Sequence, residues 1–202
     1  MFAQIAKELK RHAPFTAFGA ATGVIIMSII VFSDVPPSVS YTAFYTLHPL
    51  HVIFSALVTT AIYKSYTHGK LWRVILIGYT GSIGIATLSD AIIPYIGAHL
   101  LGIGIPFIIP FVAKWWINPL AFVGIMIGYW KPATKFPHAG HVLLSTWASL
   151  FNITQHQITI ASWMFPFIFL FLFLAVWVPC CTSDIVYPLL FTKDSTTKKA
   201  VS

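Results

Sequence analysis

Two histidine pairs and two aspartates stand out in a chain otherwise poor in ionisable groups. The segment His48-Pro49-Leu50-His51-Val52-Ile53-Phe54-Ser55 aligns with His138-Ala139-Gly140-His141-Val142-Leu143-Leu144-Ser145, identical at both histidines, the valine and the serine, at an offset of 90 residues. Downstream, Ser89-Asp90-Ala91-Ile92-Ile93-Pro94 aligns with Ser183-Asp184-Ile185-Val186-Tyr187-Pro188 at an offset of 94. The whole chain holds five acidic residues and eight histidines, so two motifs recurring in the same order read as an internal duplication.

Histidines three apart on a helix share a face, and each pair can offer two imidazole nitrogens to one ion or polar ligand. Pro49 and Pro137 place each pair at the start of its helix, where proline is tolerated. The aspartates carry more weight, because an ionisable residue inside a membrane span costs at least ~2.5 kcal/mol and marks a functional site. Proline lacks an amide hydrogen, so Pro94 should free the Asp90 carbonyl and Pro188 that of Asp184. Each aspartate then brings a carboxylate, an unpaired backbone oxygen and a neighbouring hydroxyl, from Ser89 or Ser183. The expected metal ligands are therefore His48, His51 and Asp90 in one group and His138, His141 and Asp184 in its mate. Ser89, His99, Cys180, Cys181 and Ser183 are further candidates. Mixed imidazole and carboxylate ligation suits zinc, manganese, iron, cobalt or nickel, and the thiols would tilt the second site toward softer ions.

The elements that must position these groups follow from composition. Of 202 residues, 57% are hydrophobic and 8% are charged, against about 25% charged in soluble domains, which excludes a soluble globular fold. At roughly 20 apolar residues per helical span, the chain has room for about six spans in a single membrane domain, 1–202. Spans are expected at about 14–32, 45–63, 74–95, 116–130, 138–154 and 158–179, with Trp72, Trp116, Trp130 and Trp177 as interfacial anchors. Residues 1–12 read as an amphipathic segment on the membrane surface. Gly19, Gly23, Gly78, Gly81 and Gly84 would let helices approach closely. The adjacent Cys180 and Cys181 cannot close a disulfide loop.

The apolar stretch 96–113 is broken by Gly97, Gly102, Gly104, Pro106 and Pro110. It is either a seventh span or a re-entrant or interfacial connection, and charge decides between them. If it does not cross, every Lys and Arg except Lys114 falls on one side, 11 against 1; if it crosses, the split is 7 against 5. The positive-inside rule selects six spans with both termini cytoplasmic, in a multi-pass protein of the cell membrane. The net charge of +7 thus reports orientation and not nucleic-acid binding, since no residues remain to build a solvated basic groove. The repeats fall at about 12–95 and 116–191, separated by the connection 96–115 and followed by a polar tail, 192–202. Three spans per repeat turn the second copy over relative to the first, which is an inverted-topology repeat.

In this architecture the chain resembles the small three-plus-three inverted-repeat membrane cation exporters, each of whose halves carries one acidic signature. The resemblance covers the span plan; the motifs themselves differ, with a single Asp per half. It implies a secondary transporter, an exporter, here of a divalent transition-metal ion, with the bilayer and the ion as partners and a homo-oligomer compatible with the plan. Two alternatives come from the same residues. One is an intramembrane metal-dependent hydrolase, which needs three ligands and an open water position. The other is a haem b binding membrane protein with His pairs as axial ligands, although inverted repeats should send those pairs to opposite membrane sides.

Overall fold

The computed structural model describes residues 2–67, 70–131, 135–156, 159–181 and 186–191, and their side chains except those of residues 2–8, 11, 135–139, 181 and 189. Among the described residues the chain is helical, without strands. Helix α1 runs Phe2–Phe32 and α2 Pro37–Tyr66. α3 spans Leu71–Thr87, continues through a π-helical turn at Leu88–Ile92 and resumes as α4, Ile93–Leu100. A short α5 at Pro110–Ala113 precedes α6, Ile117–Trp130, and α7, Lys135–Thr154. A 3₁₀ turn at Ser162–Met164 leads into α8, Phe165–Cys181, and the last element is α9, Tyr187–Leu190.

Among the described residues, four stretches are long and apolar enough to cross a membrane: His12–Phe32, Pro37–Tyr66, Leu71–Leu100 and Ser162–Cys180. The remaining two expected spans coincide with α6 and α7. At 14 residues α6 is about 21 Å long, shorter than the ~30 Å hydrocarbon core.

Three expectations are corrected here. The basic N-terminal segment is no separate surface element but the first turns of α1, whose helix passes through Pro14 without a break. Helix α2 starts well before residue 45: Pro36 and Pro37 fix a helical φ at its first turn, where no amide is needed. His48 and His51 consequently sit three turns inside the helix and not at its start, and Pro49 lies in its interior. The connection is shorter than 96–113, because Ile93–Leu100 is still helix. Leu101–Ile109 is non-helical and turns at Gly102, whose φ of +74° an L side chain would resist.

The helices pack in matched pairs. α2 contacts α7, α6 and α3; α7 in turn contacts α1 and α8; and α3 meets α6 as α1 meets α8. One apolar core of Met27, Ala98, Leu150, Ile168 and Leu172 joins α1, α4, α7 and α8, and another of Val52, Ile83, Ala86, Ile117 and Ala121 joins α2, α3 and α6. Without a hydrophobic driving force between helices in lipid, close backbone approach supplies much of the association. The pair Gly124 and Gly128, one turn apart on α6, provides it: a Cβ at either would fall on the Ile53 or Leu57 carbonyl oxygen of α2. Gly19 and Gly23 of α1 hold the same spacing against Leu143, Thr146 and Leu150 of α7. Ile53 and Leu143 are equivalent in the 90-residue alignment. The two Gly-x-x-x-Gly contacts therefore sit at corresponding places.

Candidate metal centre

The π-helical turn makes the site. Its extra residue shifts the amide of Ile93 onto the Leu88 carbonyl, and Pro94 has no amide to offer. The Ser89 and Asp90 carbonyls therefore lose their helical partners. Both are taken up by α7: Ser149 Oγ donates to the Ser89 oxygen at 2.9 Å and Asn152 Nδ2 to the Asp90 oxygen at 2.9 Å. Proline frees the Asp90 carbonyl as the sequence implied, but a side chain of α7 uses it.

The Asp90 carboxylate is fully buried and accepts four hydrogen bonds. His48 Nδ1 and His51 Nδ1 donate to Oδ2 at 2.8 and 2.7 Å, and the Ser89 and Ser145 hydroxyls donate to Oδ1, each at 2.7 Å. An ionised carboxylate has about four lone-pair positions and only accepts, so this donor set matches it and fixes both imidazoles with the proton on Nδ1. Each Nε2 is then the position that can face a ligand. His48 is further held by the ring of Phe44, stacked at 5.3 Å.

His51 also faces α7 and α8. Its ring lies parallel to that of His141 with centroids 5.6 Å apart, and its Nε2 is 3.9 Å from Cys180 Sγ, which is 3.7 Å from Ser145 Oγ. His48, His51, Asp90, His141, Ser145 and Cys180 are all buried. Two groups among the described residues have ligand atoms close enough to hold one ion: His48 with His51 and Asp90, and His51 with His141 and Cys180.

Of the expected site residues, His48, His51, Asp90 and Ser89 come together, and His141 and Cys180 join them across the helix interface. His138 belongs to α7 and Cys181 to α8, but their side chains lie outside the described ones, as do Ser183 and Asp184 entirely. His99 does not join. It is exposed on α4 against Tyr95, ring centroids 4.8 Å apart, and nine helical residues carry it about 13 Å beyond Asp90. The expectation that the two His pairs lie on opposite sides is also corrected: His51 and His141 meet, because each pair lies within its helix and α2 packs directly on α7.

The sequence motifs do not point to Ser149 and Asn152, and they assign Ser145 no role. The signal was present as a stripe. His141, Ser145, Ser149 and Asn152 follow at intervals of four, four and three on an otherwise apolar helix, as His51, Ser55 and Thr59 do on α2. Outside the spans, Lys114 approaches the Tyr41 and Tyr45 rings of α2, 5.7 and 5.3 Å from their centroids, and a hydrogen bond with Tyr41 raises its pKa. The chain matches no family model, no curated protein and no solved structure.

Proposed function

We propose that the protein is a secondary transporter, an exporter in the cell membrane, that carries a divalent transition-metal ion through a centre where two inverted three-span repeats meet. The observation that carries this reading is the buried network of Asp90. A carboxylate of the first repeat, expensive to keep inside a membrane, is bonded by Ser145 of the second, whose Ser149 and Asn152 hold the Ser89 and Asp90 carbonyls, beside an imidazole from each repeat. A site spanning the seam between two halves is where rocking of one half against the other changes access.

Three observations support the repeat itself. The helix contacts fall into pairs related by exchanging α1, α2 and α3 with α6, α7 and α8. The two glycine pairs pack at equivalent residues. Ser55 and Thr59 correspond to Ser145 and Ser149 in the alignment, and their buried hydroxyls have no hydrogen-bond partner among the described residues. In the proposed symmetry they serve the second Ser-Asp motif as Ser145 and Ser149 serve Asp90 and Ser89. The six-span plan keeps both termini cytoplasmic, as the lysine and arginine distribution requires.

The alternatives fit less well. A metallohydrolase needs a general base with a lone pair facing the metal-bound water, and the Asp90 lone pairs are all engaged. A haem between His51 and His141 would need a slab of space between α2 and α7, which pack directly on each other. The test is flux: proteoliposomes loaded with a metal-sensitive dye should report Zn²⁺ or Co²⁺ movement above that of protein-free vesicles, and the Asp90→Asn variant should lose most of it. Parent protein that moves no transition ion would overturn the reading.

A further inference from the structure

Resting on the metal-carrying reading, we infer that the ion is coordinated by residues of both repeats, His51, His141 and Cys180, while Asp90 acts from outside the coordination shell as the carboxylate that orients His51. The sequence alone groups each aspartate with the histidines of its own repeat. The distances separate the two arrangements. Two ligand atoms on one tetrahedral zinc-sized ion at about 2.1 Å stand about 3.4 Å apart, and a nitrogen and a thiolate sulfur about 3.6 Å apart. Asp90 Oδ2 lies 2.8 and 2.7 Å from the two Nδ1 atoms, which is the span of a hydrogen bond and too short for two donors sharing an ion. His51 Nε2 and Cys180 Sγ are 3.9 Å apart, close to the edge of a coordination tetrahedron.

The faces of the imidazole agree with the distances. His51 uses Nδ1 for Asp90 and turns Nε2 toward Cys180, the arrangement by which a carboxylate fixes the tautomer of a metal-binding histidine and raises its basicity. His141 brings its ring parallel to that of His51, and its ligand nitrogen lies within 4.8 Å of the other two donor atoms. Charge closes as well: a thiolate and the Asp90 carboxylate together balance a divalent ion, so the loaded centre is neutral inside the membrane. Three protein ligands leave a fourth position open, which suits an ion that must exchange ligands to enter and leave. Two nitrogens and a sulfur select zinc, cobalt and their softer neighbours over manganese, magnesium and calcium.

Cobalt reports this ligand set directly. Purified full-length protein titrated with Co²⁺ should develop the visible bands of a tetrahedral site together with a near-ultraviolet thiolate-to-cobalt charge-transfer band, and stoichiometric Zn²⁺ should abolish both while excess Mn²⁺ does not. Cys180→Ser, nearly isosteric, should lose the charge-transfer band, and Cys181→Ser should keep it. His141→Gln should weaken Co²⁺ binding by more than 100-fold, whereas Asp90→Asn should keep the spectrum with an affinity 10- to 100-fold lower. Size-exclusion profiles matching the parent establish that each variant is folded. Bound Co²⁺ without the charge-transfer band, or a spectrum lost in Asp90→Asn but retained in Cys180→Ser, would overturn the shared centre and leave metal carriage by His48, His51 and Asp90 standing. Parent protein that binds neither Co²⁺ nor Zn²⁺ would overturn both.

Discussion

Replacing Asp90 by alanine and by asparagine separates the hydrogen-bonding role of this side chain from its charge. Alanine removes the acceptor of four donors. The hydroxyls can turn elsewhere: Ser145 Oγ already lies 3.1 Å from Ser89 Oγ, and Ser89 Oγ is 3.4 Å from the Ala86 carbonyl oxygen. The imidazoles cannot. The Nδ1–H groups of His48 and His51 are buried and aimed at one oxygen, and each left without an acceptor costs about 1–3 kcal/mol. The two together cost about 2–6 kcal/mol, a large part of the 5–15 kcal/mol that keeps a typical domain folded.

Asparagine behaves differently. Its carbonyl can accept both imidazole N–H groups while its amide donates to the Ser89 and Ser145 oxygens, so every group keeps a partner. What is lost is the extra strength of bonds to a charged acceptor, about 1 kcal/mol for each imidazole, offset by the lower cost of burying a neutral amide. The expected loss is below about 2 kcal/mol. Unfolding of parent, Asp90→Asn and Asp90→Ala in mixed detergent micelles, followed by circular dichroism against rising SDS, measures the order. Alanine should fall well below asparagine. An alanine variant as stable as asparagine would refute the claim that the carboxylate organises the two histidines.

Gly124→Ala and Gly128→Ala place a methyl group against the α2 backbone and should each destabilise by a few kcal/mol in the same assay. Gly84→Ala, where nothing lies within 4 Å, should be neutral or stabilise by up to about 1 kcal/mol; equal effects at all three positions would contradict the α2–α6 packing. Single cysteines at positions 38, 134 and 200, in a background lacking the native thiols, should react with an impermeant reagent from outside only at 38, and outside labelling at 134 or 200 would refute the six-span orientation. His156, beyond the end of α7, has its pKa lowered by burial, so its charged form is disfavoured in the folded protein. The unfolded state then binds the extra proton first, and the His156 contribution is full above its ordinary value near 6.5 and lost as the pH falls below it. His156→Leu should flatten that part of the stability profile between pH 7 and 5, and an unchanged slope would assign it to other groups.

Much of the helical plan is legible because apolar runs and their interruptions are local properties. The six expected spans lie on α1, α2, the α3 to α4 stretch, α6, α7 and α8, and the polar Ser-Asp motif falls where the helix departs from α geometry. The boundaries that failed did so for identifiable reasons. Tyr41, Tyr45 and the polar residues among them hide the start of α2 from a hydropathy reading, while Pro36 and Pro37 mark it once the first turn is considered. Gly124 and Gly128 carry no polarity and stand out only by their spacing and by the backbone they meet.

The centre was legible as residue types but not as a partnership. An alignment of the two repeats groups His48 and His51 with Asp90 because they share a repeat, and that grouping is correct for the hydrogen bonds. It says nothing of which side chains face each other across α2 and α7. That depends on helix rotation, and rotation is written in the stripes. His51, Ser55 and Thr59 lie on one face of α2, and His141, Ser145 and Ser149 on the equivalent face of α7. Two helices that carry the same stripe and pack on each other present those faces to a common seam. The second histidine of each pair therefore meets its counterpart, and on α7 the serine one turn on reaches across the seam: Ser145 bonds Asp90. Without α7, Asp90 would lose the Ser145 donor to its carboxylate and the Asn152 donor to its carbonyl. An ion bound by His51, His141 and Cys180 would accordingly lie where α2, α7 and α8 meet.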